Sequence, residues 1–144
     1  MKLSWQPIDN DGANDGTPVV LADTVVMRGP GSKVVISSQF GHARASEAVM
    51  YPRAESAEFF DRGNQSTTFT AVVFYEFSTV GACAMFIARL ANTLGGRGTL
   101  TITYPDGGSD TLPRAVWQAI PTQPKIGVSA AVTYTFTGGR MNGD

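Results

Sequence analysis

Residues 67–77, TTFTAVVFYEF, alternate in a way that only an extended strand accommodates. Phe69, Ala71, Val73, Tyr75 and Phe77 share one face, while Thr70, Val72, Phe74 and Glu76 share the other. Both faces are largely apolar, so the pattern predicts a central strand covered on both sides. A change of period follows at once. In STVGACAMFIARLANTLGG, Ser78 or Thr79 can cap a helix of about 79–94, and Val80, Ala84, Ile87, Ala91 and Leu94 fall near one helical face. Gly95 and Gly96 supply the left-handed backbone that ends such a helix.

Strand periodicity then resumes. In GTLTITY, Leu100, Ile102 and Tyr104 alternate with threonines, and PDGGSD makes a turn. TLPRAVWQAI reads as the return strand of a hairpin, with Pro113 marking an edge or a bulge because it has no N–H for a ladder bond. The last strand, GVSAAVTYTFTGG, places Val128, Ala130, Val132, Tyr134 and Phe136 inward and Ser129, Ala131, Thr133, Thr135 and Thr137 outward. The helix either joins parallel strands of one sheet by a right-handed crossover or plugs one flank between two sheets. The antiparallel look of its neighbours favours the second.

The first half is less regular. Residues 1–16 read as a turn-rich segment ending in DNDGANDG. Two short strands, PVVLADTVVM and SKVVISSQF, flank the breaker RGPGS. Residues 41–64 fit either a long surface excursion or a short helix before Pro52, and residues 138–144 read as a frayed tail. At 144 residues the chain is predicted to form a single domain over 1–144. The expected class is α+β, mainly antiparallel β: a β-sandwich or curled sheet flanked by one main helix.

Chemistry has few footholds. The lone Cys83 allows no disulfide within the chain, and inside an apolar helix it reads as a small hydrophobe. His42, the single histidine, lies far from it in sequence and reads as a loop residue. Together with Glu55, Glu58 and Asp61 these are the nominal members of an enzyme reading, and no spacing binds them into one constellation. Asp9, Asp11 and Asp15 invite a calcium test. The helix-loop-helix template then requires an oxygen ligand at Ala13 and a glutamate at Val20, so an Asx-turn loop is the better reading. GGRGT follows a helix instead of opening one, which is the wrong polarity for a phosphate cradle. No catalytic, cofactor-binding or metal residue is therefore assigned, and no cofactor or small-molecule substrate is expected.

A net charge of -1 offers no basic face for nucleic acid or anionic lipid. The N-terminal MKLSWQPIDNDG has no apolar core of a signal peptide, and no apolar run is long enough to span a bilayer. Among aromatic residues, Trp5, Tyr51 and Trp117 could line a sugar platform, the basis of an alternative reading as a carbohydrate- or receptor-binding module.

The succession strand, capped helix, glycine stop, hairpin and final strand, carried by FTAVVFYEFSTVGACAMFIARLANTLGGRGTLTITYPDGGSDTLPRAVWQAI and GVSAAVTYTFTGG, resembles small bacteriophage and prophage tail proteins. Tail-tube and distal-tail β-sandwiches are the members it is most similar to. The resemblance covers about residues 67–139. It implies a non-enzymatic virion protein, made in a bacterial cytoplasm, that associates with itself and with other tail proteins in a ring or tube. It carries no catalytic residue to transfer.

Overall fold

In the computed structural model the described residues are 1–23, 29–49, 58–118 and 127–142, with the backbone alone for 42–49 and 58–65. They build seven strands and one helix. The strands are β1 (Lys2–Pro7), β2 (Val19–Ala22), β3 (Lys33–Val49), β4 (Glu58–Glu76), β5 (Arg97–Thr103), β6 (Ser109–Gln118) and β7 (Ser129–Gly138), and α1 (Val80–Thr93) lies between β4 and β5. All seven join one sheet in the order β2-β1-β5-β6-β7-β4-β3, with every pairing antiparallel. The mainly antiparallel α+β class is thus the observed one, as a curled sheet instead of two stacked layers.

The curl is visible in contacts between strands that are not neighbours. Trp5 of β1 stacks on Phe136 of β7 with ring centroids 5.2 Å apart, although β5 and β6 lie between them in the sheet. The Tyr75 hydroxyl of β4 donates to the Leu21 carbonyl of β2 at 2.6 Å. At one end the two sheet edges meet, where the Asp23 amide donates to the Lys33 carbonyl at 2.9 Å. A sheet rolled this far buries one face on itself. Leu3, Trp5, Leu21, Phe69, Val73, Tyr75, Leu100, Ile102, Leu112, Val132, Tyr134 and Phe136 form that core.

The helix is positioned by its caps. Thr79 accepts from the Ala82 amide through its side chain, and Gly96 takes the left-handed φ of 77° that follows the C-cap Leu94. Cys83, Leu90 and Leu94 are buried, and Phe86 packs against Tyr75 at 4.6 Å. The buried stripe is therefore rotated from the expected one: Val80 and Ala91 are exposed. Val80 occupies the first turn, beyond the rim of the curl. The helix plugs an open flank, but the strands it connects belong to one sheet. Successive antiparallel steps from β4 through β7 and β6 to β5 leave β4 and β5 antiparallel.

Other local expectations change as well. The N-terminal segment begins with strand β1, whose Leu3 and Trp5 are fully buried; the turns occupy only the stretch after it. Alternating apolar residues were hidden there by the polar DNDG run. Of the tail expected to fray, 138–144, residues 143 and 144 lie outside the described residues, and Asn142 is hydrogen-bonded to β6. The Asn142 amide donates to the Thr111 carbonyl at 2.7 Å, and its side-chain oxygen accepts from the Thr111 amide at 2.8 Å. Val128, expected inward, lies before β7 begins and is half exposed.

Pro113 sits at an irregularity, as its chemistry requires. Leu100 pairs with Leu112 and Gly98 with Ala115, so Pro113 and Arg114 together oppose Thr99, and Arg114 takes a φ of 53°. Gly98 has a packing reason to be glycine: a Cβ there would collide with the indole of Trp5 and lie 2.9 Å from the Gln6 carbonyl oxygen.

Candidate interaction surface

The largest departure from the sequence reading lies in residues 41–64. Neither a surface excursion nor a helix forms within the described part. β3 continues unbroken to Val49 and β4 begins at Glu58, in register from Lys33↔Tyr75 to Val49↔Glu58. The Ala- and Glu-containing stretch has modest strand propensity, and pairing with β4 overrides it. Residues 50–57, with Tyr51 and Glu55, lie outside the described residues.

This hairpin outruns its sheet. β7 pairs with β4 only from Thr67↔Gly138 to Glu76↔Ser129. Beyond Thr67, the pairs Ala43↔Ser66 through Val49↔Glu58 involve β3 and β4 alone. The result is a two-stranded arm extending about 20 Å past the sheet at ~3.3 Å per residue. Register irregularities beside Arg44 bend its base.

A second surface is the outer face of the sheet. β4 is interior to the sheet but covered on one side only: Ala71, Val73 and Tyr75 are buried, whereas Phe74 is exposed. Val34 and Ala131 are the register partners of Phe74, and Ile36 projects from the β3 bulge at 61% exposure. Threonines 133 and 135 of β7 continue the face with polar, strand-favouring side chains. The expectation of cover on both sides is corrected here, because α1, the one helix among the described residues, packs on the core side.

A third is a groove of about 420 Å³ between α1 and β2. Val19, Leu21, Phe77 and Phe86 contribute apolar walls, with Met85 and Arg89 among its lining. Met85 is 54% exposed.

The residues that had suggested chemistry are scattered. His42 is a strand residue paired with Thr67, not a loop residue. Cys83 is fully buried near the other end of β4. The backbone of His42 is thus held at Thr67, nine residues or about 30 Å from the end of β4 at Glu76 that leads into α1 and Cys83. Glu58 and Asp61 fall in the arm, opposite Val49 and Ser46. Among the described residues, no group of three or more His, Cys, Asp or Glu is placed to hold a metal ion. Asp9 is occupied by its own loop, accepting from the Asp11 and Ala13 amides at 2.9 Å each.

Trp5 is fully buried and offers no sugar platform; Trp117 packs against the core with its indole N–H buried and unpartnered among the described residues. The remaining polar clusters are structural. Tyr75 and Tyr134 share a 2.7 Å hydrogen bond, and burial pushes both phenols above their ordinary value. Tyr104 donates to Asp110 at 2.7 Å and is pushed up to about 12, by desolvation first and by that bond second. Asn142 and Tyr104 donate to Asp110 and hold its carboxyl below the usual range. That cluster ties the C-terminal residues to β6. No helix among the described residues is long and apolar enough to cross a membrane.

The arm was the feature least visible in sequence, yet it left a signal. The run EFFD at Glu58–Asp61 places two phenylalanines between acids in a stretch too polar to form a core element.

No family model matches the chain, and no curated protein matches it. Among solved structures, similar chains come from gene transfer agent particles. One is a chain from the tail of an empty gene transfer agent (GTA) particle with C6 symmetry, at TM-score 0.42 and 13% identity. The other is a chain from the virion of a native gene transfer agent particle, at TM-score 0.42 and 12% identity. Each alignment covers 96% of this chain and 92% of the other.

Proposed function

We propose that this protein is a non-enzymatic structural component of a phage-like virion tail, assembling with copies of itself into a ring or tube. The observation that carries the reading is the arm. Two strands paired only with each other are at best marginally stable in water, and a third layer or partner is needed to hold them. Here the described residues beyond Thr67 form such a ribbon, paired from Ala43↔Ser66 to Val49↔Glu58. A ribbon of this kind is suited to pairing with, or packing against, a neighbour. The long β3 edge, which beyond Lys33 has no strand neighbour on its outer side among the described residues, adds a second means of association.

The tail role is the one implied by the resemblance of residues 67–139. Its partners are further copies of the chain and other tail proteins, and its place is the virion. The carbohydrate-binding alternative loses Trp5 to the core and draws no support from an assembled aromatic platform.

Size-exclusion chromatography with light scattering tests the proposal, followed by electron microscopy of the largest species. Discrete oligomers that grow with concentration and show rings or short tubes are expected. A strictly monomeric chain at high concentration overturns the reading.

A further inference from the structure

After β7 ends at Gly138 the chain crosses back to β6, where Met141 packs against the core and Asn142 reaches Thr111. Asn142 takes a φ of 55°, a left-handed conformation that asparagine tolerates better than most residues. Its amide donates to the Thr111 carbonyl at 2.7 Å, and its Oδ1 accepts from the Thr111 amide at 2.8 Å. Its Nδ2 donates to Asp110 Oδ1 at 2.9 Å. The carboxamide thus closes a latch on β6, an acceptor set against a backbone donor and a donor set against a carboxylate.

The residue that closes the latch is also a chemically vulnerable one. Asparagine is a thermolabile residue type. Of Asn10, Asn14, Asn64, Asn92 and Asn142, only Asn142 precedes a glycine, whose backbone nitrogen has no side chain beside it to hinder its attack. Asn142 is exposed, so water has access to it.

We propose that Asn142 is a self-modification site, where deamidation irreversibly opens the latch between the residues after β7 and β6. In the first step the Gly143 backbone nitrogen attacks Asn142 Cγ. A carbon–nitrogen bond forms, the bond from Cγ to Nδ2 breaks, and Nδ2 leaves as ammonia with the proton that Gly143 gives up. In the second step water opens the resulting cyclic imide at one of its two carbonyls, giving aspartate or isoaspartate. Nothing is oxidised or reduced, and water is the sole co-reactant.

The closed latch restrains the first step. A carboxamide bonded at both its oxygen and its nitrogen is not free to turn and lose that nitrogen, so reaction goes through the open form. The product does not close again. Once oxygen replaces Nδ2, a second carboxylate faces Asp110 where a donor had been, and the two anions repel. Asp110 is ionised at neutral pH, since the Asn142 and Tyr104 donors hold its carboxyl below the usual range. Opening leaves the Thr111 N–H and C=O without these partners and draws Met141 away from the core.

Peptide mass spectrometry of the full chain, incubated at mildly alkaline pH, measures conversion at Asn142 in buffer and in denaturant. Conversion in buffer is expected to be about ten-fold slower or more, because the bonds to Thr111 and Asp110 must break first. Equal rates overturn the restraint. Gly143→Val should slow conversion in denaturant, where only the hindrance of a branched side chain acts; an unchanged rate there overturns the attack by Gly143. Hydrogen exchange at the Thr111 amide reports the latch itself. The deamidated chain should exchange there faster than the unmodified one, and Asn142→Asp should reproduce this without the chemistry. Asp110→Asn combined with Asn142→Asp should restore protection, because the exchanged pair again sets one carboxamide against one carboxylate. Circular dichroism establishes that each variant is folded, and the deamidated chain supplies the same readout if one is not. Undiminished protection of Thr111 in the deamidated chain overturns the proposal, as does exchange that the paired substitution leaves as fast as in Asn142→Asp.

Discussion

β4 passes through two environments in nineteen residues. From Thr67 to Glu76 it is held by β3 on one side and β7 on the other, and its inward residues Phe69, Ala71, Val73 and Tyr75 are almost completely buried. From Glu58 to Ser66 it has β3 alone. Pairing with β3 is similar in kind along the whole strand; what differs is the second neighbour, β7, which pairs only from Thr67 onward. Burial of apolar area, at roughly 25 cal/mol per Å², holds the first part in place. The second part has only its hairpin bonds to β3, which water can compete for. Strand length and strand stability are separate properties here, and function is expected where they part.

The sharpest way to break this comparison is to empty the curl. Trp5 is fully buried, stacks on Phe136 and fits against Gly98, so Trp5→Ala should cost about 3–5 kcal/mol. Denaturant unfolding followed by circular dichroism measures it. A loss below 1 kcal/mol means that the inner face does not carry the fold's stability.

A smaller effect is expected at the hydroxyl strut between β4 and β2. Tyr75→Phe removes the donor to the Leu21 carbonyl and the partner of the Tyr134 hydroxyl, leaving buried polar atoms to find replacements. The expected cost is about 1–3 kcal/mol. The pH dependence has a definite sign. Burial raises both phenols above their ordinary value near 10. The stability linked to their neutral forms is complete below that value and declines as pH rises above it, because the unfolded chain releases its protons first. Tyr75→Phe should therefore flatten the loss of stability above about pH 10. An unchanged alkaline profile would show that the pair is not coupled to folding.

The curl was more legible than the arm for a physical reason. Strict alternation in β4, β5 and β7 reflects burial on one face, and the sequence positions of Phe69, Leu100 and Tyr134 reveal it directly. The cap at Thr79 and the stop at Gly96 are local chemistry and fell where the residues put them. Closure was not legible, since the meeting of Trp5 with Phe136 depends on how far the sheet rolls. The arm was missed because its residues show no apolar alternation in sequence, and its register from Arg44 to Val49 is set by pairing with the opposite strand. The apolar face of α1 was found, but its phase was about one residue astray, because Cys83 and Leu90 meet a flank that no helical wheel specifies.

The outer face supplies the smallest expected effect and the most discriminating control. Ile36 projects from the β3 bulge with 61% of its surface exposed, so a polar replacement removes little burial within the chain. Ile36→Ser should change stability by no more than about 0.5 kcal/mol. If thermal unfolding instead shows a drop comparable with that of Tyr75→Phe, the outer face has cover that the isolated curl does not provide. The division between a self-sufficient interior and surfaces awaiting partners would then have to be redrawn at the sheet itself. If the drop is absent, apolar exposure on β3 is tolerated without contributing to the fold. The boundary of the self-sufficient sheet then remains where the pairing with β7 stops, at Thr67.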